Sequence, residues 1–228
     1  MYYYGINIYL SWPKLMKYKC VIFDCDGVLV DSEKISAKVL IDMALESGLS
    51  IDMDDAIERF TGKSFRSILS YIEQKIDVEL KDNFETEFRR RTYKLFENEL
   101  QPVDGIKEVL KKISVPFCVA SSGPRKKIKI NLVKTQLINK FPEQNIFSSF
   151  DIGSWKPEPE IYLHAANKMG FKPEECAVIE DSIYGVEAAI SGGFDVFVYT
   201  TKKKQSAFNG LNVIVFDDML KLLSIITE

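Results

Sequence analysis

Five short apolar runs rich in β-branched and aromatic residues recur along the chain, at Cys20–Phe23, Phe117–Ala120, Ala177–Ile179, Val196–Tyr199 and Val213–Phe216. Runs that stay apolar at successive positions suit strands covered on both faces, and strands of that kind are parallel. Helix-length patterns lie between most of them, such as Ile106–Ile113 and Ile161–Met169, the second closed by Gly170 where a left-handed helix stop is expected. Alternating strands and helices predict an α/β layered sheet. Ligands bind such sheets beyond the carboxyl ends of the strands, so the residues after each run are the first place to look for chemistry.

The alternation breaks between residues 32 and 100. Only helical periodicity is found there: Ile35, Val39 and Met43; Phe65, Ile68, Leu69 and Ile72; Phe84, Phe88 and Leu95. The expected architecture is a Rossmann-like parallel sheet core, 17–31 and 101–228, with helices on both faces and an inserted all-helical cap at 32–100. Because the insert follows the first strand directly, it should lie above that strand's carboxyl end. One domain with such an insert fits 228 residues, given about 150 residues per domain. Residues 1–16 are aromatic and nearly uncharged. They lack the basic start and cleavage site of a secretory signal, and the roughly 20 apolar residues of a membrane span. They are read as an N-terminal extension, with Met16 as a second candidate start because strand-like sequence follows it at once.

Thirty basic and 33 acidic residues leave a net charge of −3. That balance speaks against a nucleic-acid partner, which calls for a basic excess, and no membrane partner is expected. The four cysteines, Cys20, Cys25, Cys118 and Cys176, are scattered without CxxC spacing and read as buried, reduced thiols of a cytoplasmic protein. The single histidine, His164, lies in an apolar helical stretch and reads as a packed helix residue. One histidine excludes zinc sites built on several and leaves any Ser-His-Asp triad dependent on it alone.

The first strand delivers Asp24-Cys25-Asp26-Gly27. Acids two positions apart on extended chain face the same way, and two close carboxylates need a cation or a shared proton between them. With only oxygen donors at hand, the hard cation Mg²⁺ is the natural choice. The second strand runs into Ser121-Ser122-Gly123-Pro124, a turn of small residues before a helix that could cradle a phosphate. Trp155-Lys156-Pro157-Glu158-Pro159 sets a lysine before a helix start, and Glu180-Asp181-Ser182 adds a second acidic pair at a strand end. Acids, hydroxyls and a lysine at the strand ends of one sheet can bind a cation and a phosphoryl group together.

Residues 23–33, beginning Phe23-Asp24-Cys25-Asp26-Gly27-Val28, then Ser121, Lys156-Pro157, and Glu180-Asp181-Ser182 with Gly185 and Ala188, resemble the four ordered motifs of the haloacid dehalogenase superfamily. The resemblance spans residues 17–228, and the insert is similar to the cap of the subgroup containing phosphoglycolate phosphatase and β-phosphoglucomutase. It implies that Asp24 is a nucleophile forming an aspartyl-phosphate. Asp26 would protonate the leaving alkoxide, activate water, and bind Mg²⁺ through its carbonyl. Ser121 would hold phosphoryl oxygens, Lys156 would neutralise the nucleophile and the transferring group, and Glu180 and Asp181 would complete the metal site with Asp24 and Asp26. An aspartate at position 26 points to phosphoesters rather than to the dehalogenase or ATPase branches. The segments 59–63, 122–124 and 150–157, with His164-Ala165-Ala166, further resemble bacterial 6-phosphogluconate phosphatases. The implied partner is a small phosphorylated metabolite, a sugar or sugar-acid phosphate, acted on by a monomer or weak homodimer.

Other readings compete. β-Phosphoglucomutases resemble the core equally but carry a histidine and a cap arginine where this chain has Ser36 and Phe65. A non-catalytic metabolite-binding module would be expected to lack one of the motif residues. Thr61-Gly62-Lys63-Ser64 suggests an NTP loop, yet the glycine required five positions before Gly62 is Ile57. Lys63 and Arg66 are instead candidates to meet an anionic substrate from the cap, with Ser122 and Gly123 meeting it from the core. Solvated cap surface explains the two cations about as well. The runs Arg125-Lys126-Lys127 and Lys202-Lys203-Lys204 read as solvated faces.

Overall fold

The computed structural model describes residues 17–60, 65–76, 79–201 and 205–227. The N-terminal extension, Lys63 with its loop, and Lys202–Lys204 therefore lie outside the described residues. Strand β1 (Cys20–Phe23) is followed by helices α1 (Glu33–Glu46), α2 (Met53–Phe60), α3 (Phe65–Ile76), α4 (Phe84–Glu99) and α5 (Ile106–Lys112). Next come β2 (Phe117–Ser121), α6 (Arg125–Lys134), β3 (Ile146–Ser148), α7 (Ser149–Ile152) and α8 (Glu160–Met169). Then follow β4 (Cys176–Glu180), α9 (Ile183–Ser191), β5 (Asp195–Tyr199), β6 (Ile214–Phe216) and α10 (Leu222–Ile225).

The six strands pair in the order β3-β2-β1-β4-β5-β6, and every pairing is parallel. Alternation within the strands divides the core in two. Val21, Phe23, Val119 and Ile179 pack on one face, and Cys20, Ile22, Ala120 and Val178 on the other. Each fully buried aliphatic side chain of this kind stabilises the fold by about 1.5–3 kcal/mol. The expected α/β architecture is the observed one. Strand β3 was not expected: three residues, Ile-Phe-Ser, are too short to carry a periodic signal.

The four helices after β1 build a core of their own around Ala37, Leu40, Met43, Ala44, Ile51, Ala56, Ile68 and Ile72. The chain leaves the sheet layer and returns to it at one point. The Asp31 N–H donates to the Gln101 carbonyl at 3.0 Å, and the Val103 N–H donates to that of Leu29 at 3.1 Å. Helices α1 and α4 are also joined by Arg91 and Glu46. His164 packs edge-on to Phe147, with ring centroids 5.7 Å apart, and all four cysteines are buried and unpaired. Among the described residues no helix is long and apolar enough to cross a membrane.

Candidate active site

The parallel register brings the polar strand ends side by side. Phe23 pairs with Val119 on β2 and with Ile179 on β4, so Asp24, Ser121 and Glu180-Asp181 emerge together. Asp24 is held there by its N–H to the Ile179 carbonyl at 2.9 Å. The turn after β1 needs Gly27 at φ +77°, where a Cβ would overlap the Asp181 carboxylate. Glycine thus lets the carboxylate from β4 lie directly on the backbone that carries Asp26.

Lys156 is the electrostatic centre. Its ammonium donates to Asp24 Oδ1 and to Glu180 Oε1, each at 2.5 Å, with the lysine side chain only 6% exposed. Tyr162 on α8 donates to the same Glu180 oxygen at 2.7 Å. The other oxygen, Oε2, accepts from the backbone N–H groups of Asp181 and Ser182 and from the Ser182 hydroxyl, at 2.8–3.0 Å. Gly185 is the matching small residue, because a Cβ there would overlap the Glu180 carboxylate. Glu180, grouped with the metal ligands on sequence, is thereby saturated with donors and anchors Lys156. Among the described residues no three acidic side chains alone enclose a metal site. The oxygen donors left to a cation are Asp24, Asp181 and the Asp26 carbonyl, with water.

The charge balance fits such a cation. Burial pushes Asp24 up to about 7, and the Glu180 and Asp26 charges add to burial against the counter-effect of Lys156. Asp181 is raised well above its usual range by burial and by the charges of Glu180, Glu33 and Asp24. Burial works against the charged form of Lys156 too, yet Asp24 and Glu180 hold it firmly protonated. Five carboxylates crowd around two ammonium groups, and a divalent cation against Asp24 and Asp181 would relieve the excess.

The phosphate-type turn is also formed. Ser121 is buried and its Oγ accepts from the Gly123 N–H at 3.1 Å, while its own proton goes to no acceptor among the described residues. Ser148 clamps the turn by donating to the Gly123 carbonyl at 2.7 Å. Asp26 is gripped on both oxygens: Ser32 at 2.5 Å and Asn131 at 3.3 Å on Oδ1, and Lys127 at 2.8 Å on Oδ2. Burial raises Asp26, but Lys127, Ser32 and Lys156 together outweigh it and hold the carboxyl below its usual range. The expectation that Arg125-Lys126-Lys127 is a solvated face fails at Lys127. The helix turns Lys126 to solvent and Lys127 inward, while Arg125 pairs with Asp151.

These groups floor a cavity of about 530 Å³ whose far wall comes from the helical insert: Leu40, Phe60, Phe65, Arg66, Phe88 and Arg89 among others. Ser122 and Gly123 line it, as does Ser36. Arg66 is exposed at this wall, and Arg89 is paired with Glu85. Arg89, Tyr162 and Asn131 were not singled out on sequence, and Lys127 and Ser32 were given no role of their own in the site. Lys127 and Asn131 do carry a signal, since polar residues at i and i+4 share one face of α6.

The haloacid dehalogenase-like hydrolase pattern matches residues 21–199. The chain is 34% identical to the 6-phosphogluconate phosphatase of Escherichia coli over 81% of this chain and 84% of that protein. It is 30% identical to a phosphorylated carbohydrates phosphatase of Thermotoga maritima over 78% of this chain and 82% of the relative. A haloacid dehalogenase-like protein of unknown function from Agrobacterium tumefaciens superposes with a TM-score of 0.83 at 29% identity, covering 92% of this chain and 97% of that one. Strand-end acids, lysine and hydroxyl turn in parallel register, together with these relatives, give the assignment: the chain belongs to the haloacid dehalogenase-like hydrolase family, as one of its phosphatases.

Proposed function

We propose that the protein is a Mg²⁺-dependent phosphomonoesterase acting on a sugar or sugar-acid phosphate, with 6-phosphogluconate first among candidates. The observation that carries the reading is Lys156 bridging Asp24 and Glu180 beneath a cavity of about 530 Å³, a size suited to a small metabolite. Asp24 attacks phosphorus, the P–O bond to the alcohol breaks, and Asp26, which takes up a proton as the substrate's negative charge binds beside it, gives that proton to the leaving alkoxide. Asp26 then takes a proton from water as that water displaces Asp24 and releases phosphate. Ser121 and the turn N–H groups hold the phosphoryl oxygens, and Lys156 screens the incoming negative charge from Asp24. Asp24, Asp181 and the Asp26 carbonyl would hold Mg²⁺, which would supply charge neutralisation for the phosphoryl group.

The sugar-acid preference is supported by the Escherichia coli relative and by two arginines, Arg66 and Arg89, on the cavity's far wall. Phosphate release should be measured from 6-phosphogluconate, hexose and pentose phosphates, phosphoglycolate and nucleoside monophosphates, with Mg²⁺ and with chelator. A clear preference for 6-phosphogluconate that vanishes with chelator is expected. Preference for another class overturns the substrate, and full activity in chelator overturns the metal.

A further inference from the structure

We infer that Lys127 is a positioning residue for the proton-transferring carboxylate of Asp26, a role that rests on the reading of Asp26 as proton donor and acceptor. Asp26 leaves β1 on a turn, and no strand hydrogen bond orients its side chain. What orients it is a grip of three donors, two of which come from α6. Lys127 Nζ reaches Oδ2 at 2.8 Å, and Asn131, fully buried one turn later, reaches Oδ1 at 3.3 Å beside Ser32. The i and i+4 spacing places both α6 donors on one face. The lysine side chain is 20% exposed, so its head is committed to the site rather than to water.

The same helix begins at the phosphate-type turn. Its first turn is closed by the Lys127 N–H donating to the Pro124 carbonyl at 2.8 Å. The Lys127 stem runs past the turn, where a Cβ at Gly123 would lie 3.4 Å from its Cδ. One rigid element therefore holds both the cradle for the transferring group and the carboxylate that must meet the leaving oxygen. A misplacement of that carboxylate by an ångström would cost proton transfer while leaving phosphoryl attack intact.

Leaving-group dependence separates this role from a structural one. An alkyl phosphate needs a proton on its departing oxygen; p-nitrophenyl phosphate does not. In Lys127→Met, kcat/KM, which reports only the steps up to alcohol release and not the Asp26-assisted hydrolysis common to both substrates, should fall at least about tenfold further for an alkyl phosphate than for p-nitrophenyl phosphate. Lys127→Arg, which can still reach a carboxylate oxygen, should recover most of the loss. In an Asp26→Asn background Lys127→Met should add little, since the two act as a unit. Equal losses on both substrates, or a full further loss in the Asp26→Asn background, overturns the proposal. If Asp26→Asn itself loses both substrates equally, the reading of Asp26 fails instead. Should Lys127→Met not fold, the same comparison on Lys127→Arg and Asn131→Ala decides: loss without leaving-group bias overturns the role.

Discussion

The cavity has two walls built on different physics. Its floor is made of strand ends, where Asp24, Ser121, Lys156 and Glu180 are buried and tied to hydrogen-bond partners from neighbouring elements. Its far wall is a helical surface of Leu40, Phe60, Phe65 and Phe88 with two arginines set among them. The floor fixes geometry through a shared hydrogen-bond network, so altering one group disturbs the rest. The far wall belongs to a unit with its own hydrophobic core, so its surface can change without disturbing the floor. A fixed reaction with an adjustable leaving group follows from that division.

The largest effect should come from the floor. Asp24→Asn keeps the shape but removes the oxygen anion proposed to attack, and turnover is expected to fall by at least about a thousandfold. Lys156 keeps Glu180 as a partner, so thermal unfolding should shift by only a few degrees. Rapid-quench detection of a phosphorylated chain in the wild type and its absence in the variant would check the assignment; near-normal turnover in Asp24→Asn would contradict it.

Gly185→Ala tests how tightly the floor is locked. Helix propensity alone favours alanine by about 1 kcal/mol. The added methyl, however, overlaps the Glu180 carboxylate, whose displacement would disturb the bonds from Lys156, Tyr162 and Ser182. Disrupting a buried charged network costs about 3–5 kcal/mol, so the overlap wins, and both melting temperature and activity should drop. A more stable, fully active Gly185→Ala would show the floor to be looser than its hydrogen bonds indicate.

The corresponding test of the other wall is Ile72→Ala, which empties a fully buried position in the insert core. Truncation there should cost about 2–5 kcal/mol. If the insert is energetically its own unit, faster hydrogen exchange will appear across residues 33–99 while β1, β2 and β4 keep their protection. Exchange rising equally in the strands would merge the two regions into one cooperative body.

Sequence made the two walls unequally legible. Acids at i and i+2 beyond an apolar run point together by the geometry of extended chain, so Asp24 and Asp26 could be read directly. Parallel register then brings Ser121 and Glu180-Asp181 beside them. Glu180's hydrogen-bond partners were hidden, because only the fold shows Tyr162 and two backbone N–H groups donating to its oxygens. Lys127 was hidden inside a basic run whose members the helix turns in three directions. Arg89 carried no signal, since a cation on an amphipathic helix looks the same whether it faces water or a cavity.

The smallest expected effect is also the one that decides what the far wall selects. Arg66 is exposed, and its hydrogen bond to a carboxylate would be partly screened by water. Arg66→Ala is thus expected to raise KM for 6-phosphogluconate about tenfold, near 1.4 kcal/mol, with kcat nearly unchanged. Arg89 spends part of its donor capacity on Glu85, at 2.5 and 3.0 Å, and its guanidinium lies 6.0 Å from the Phe150 ring. Arg89→Ala should do less to KM and leave Glu85 without its partner. For p-nitrophenyl phosphate, which carries no second acid, neither change should matter. An Arg66→Ala variant that loses both substrates alike would move Arg66 from selecting the leaving group to holding the phosphoryl group, and the separation between the walls would fail at that residue.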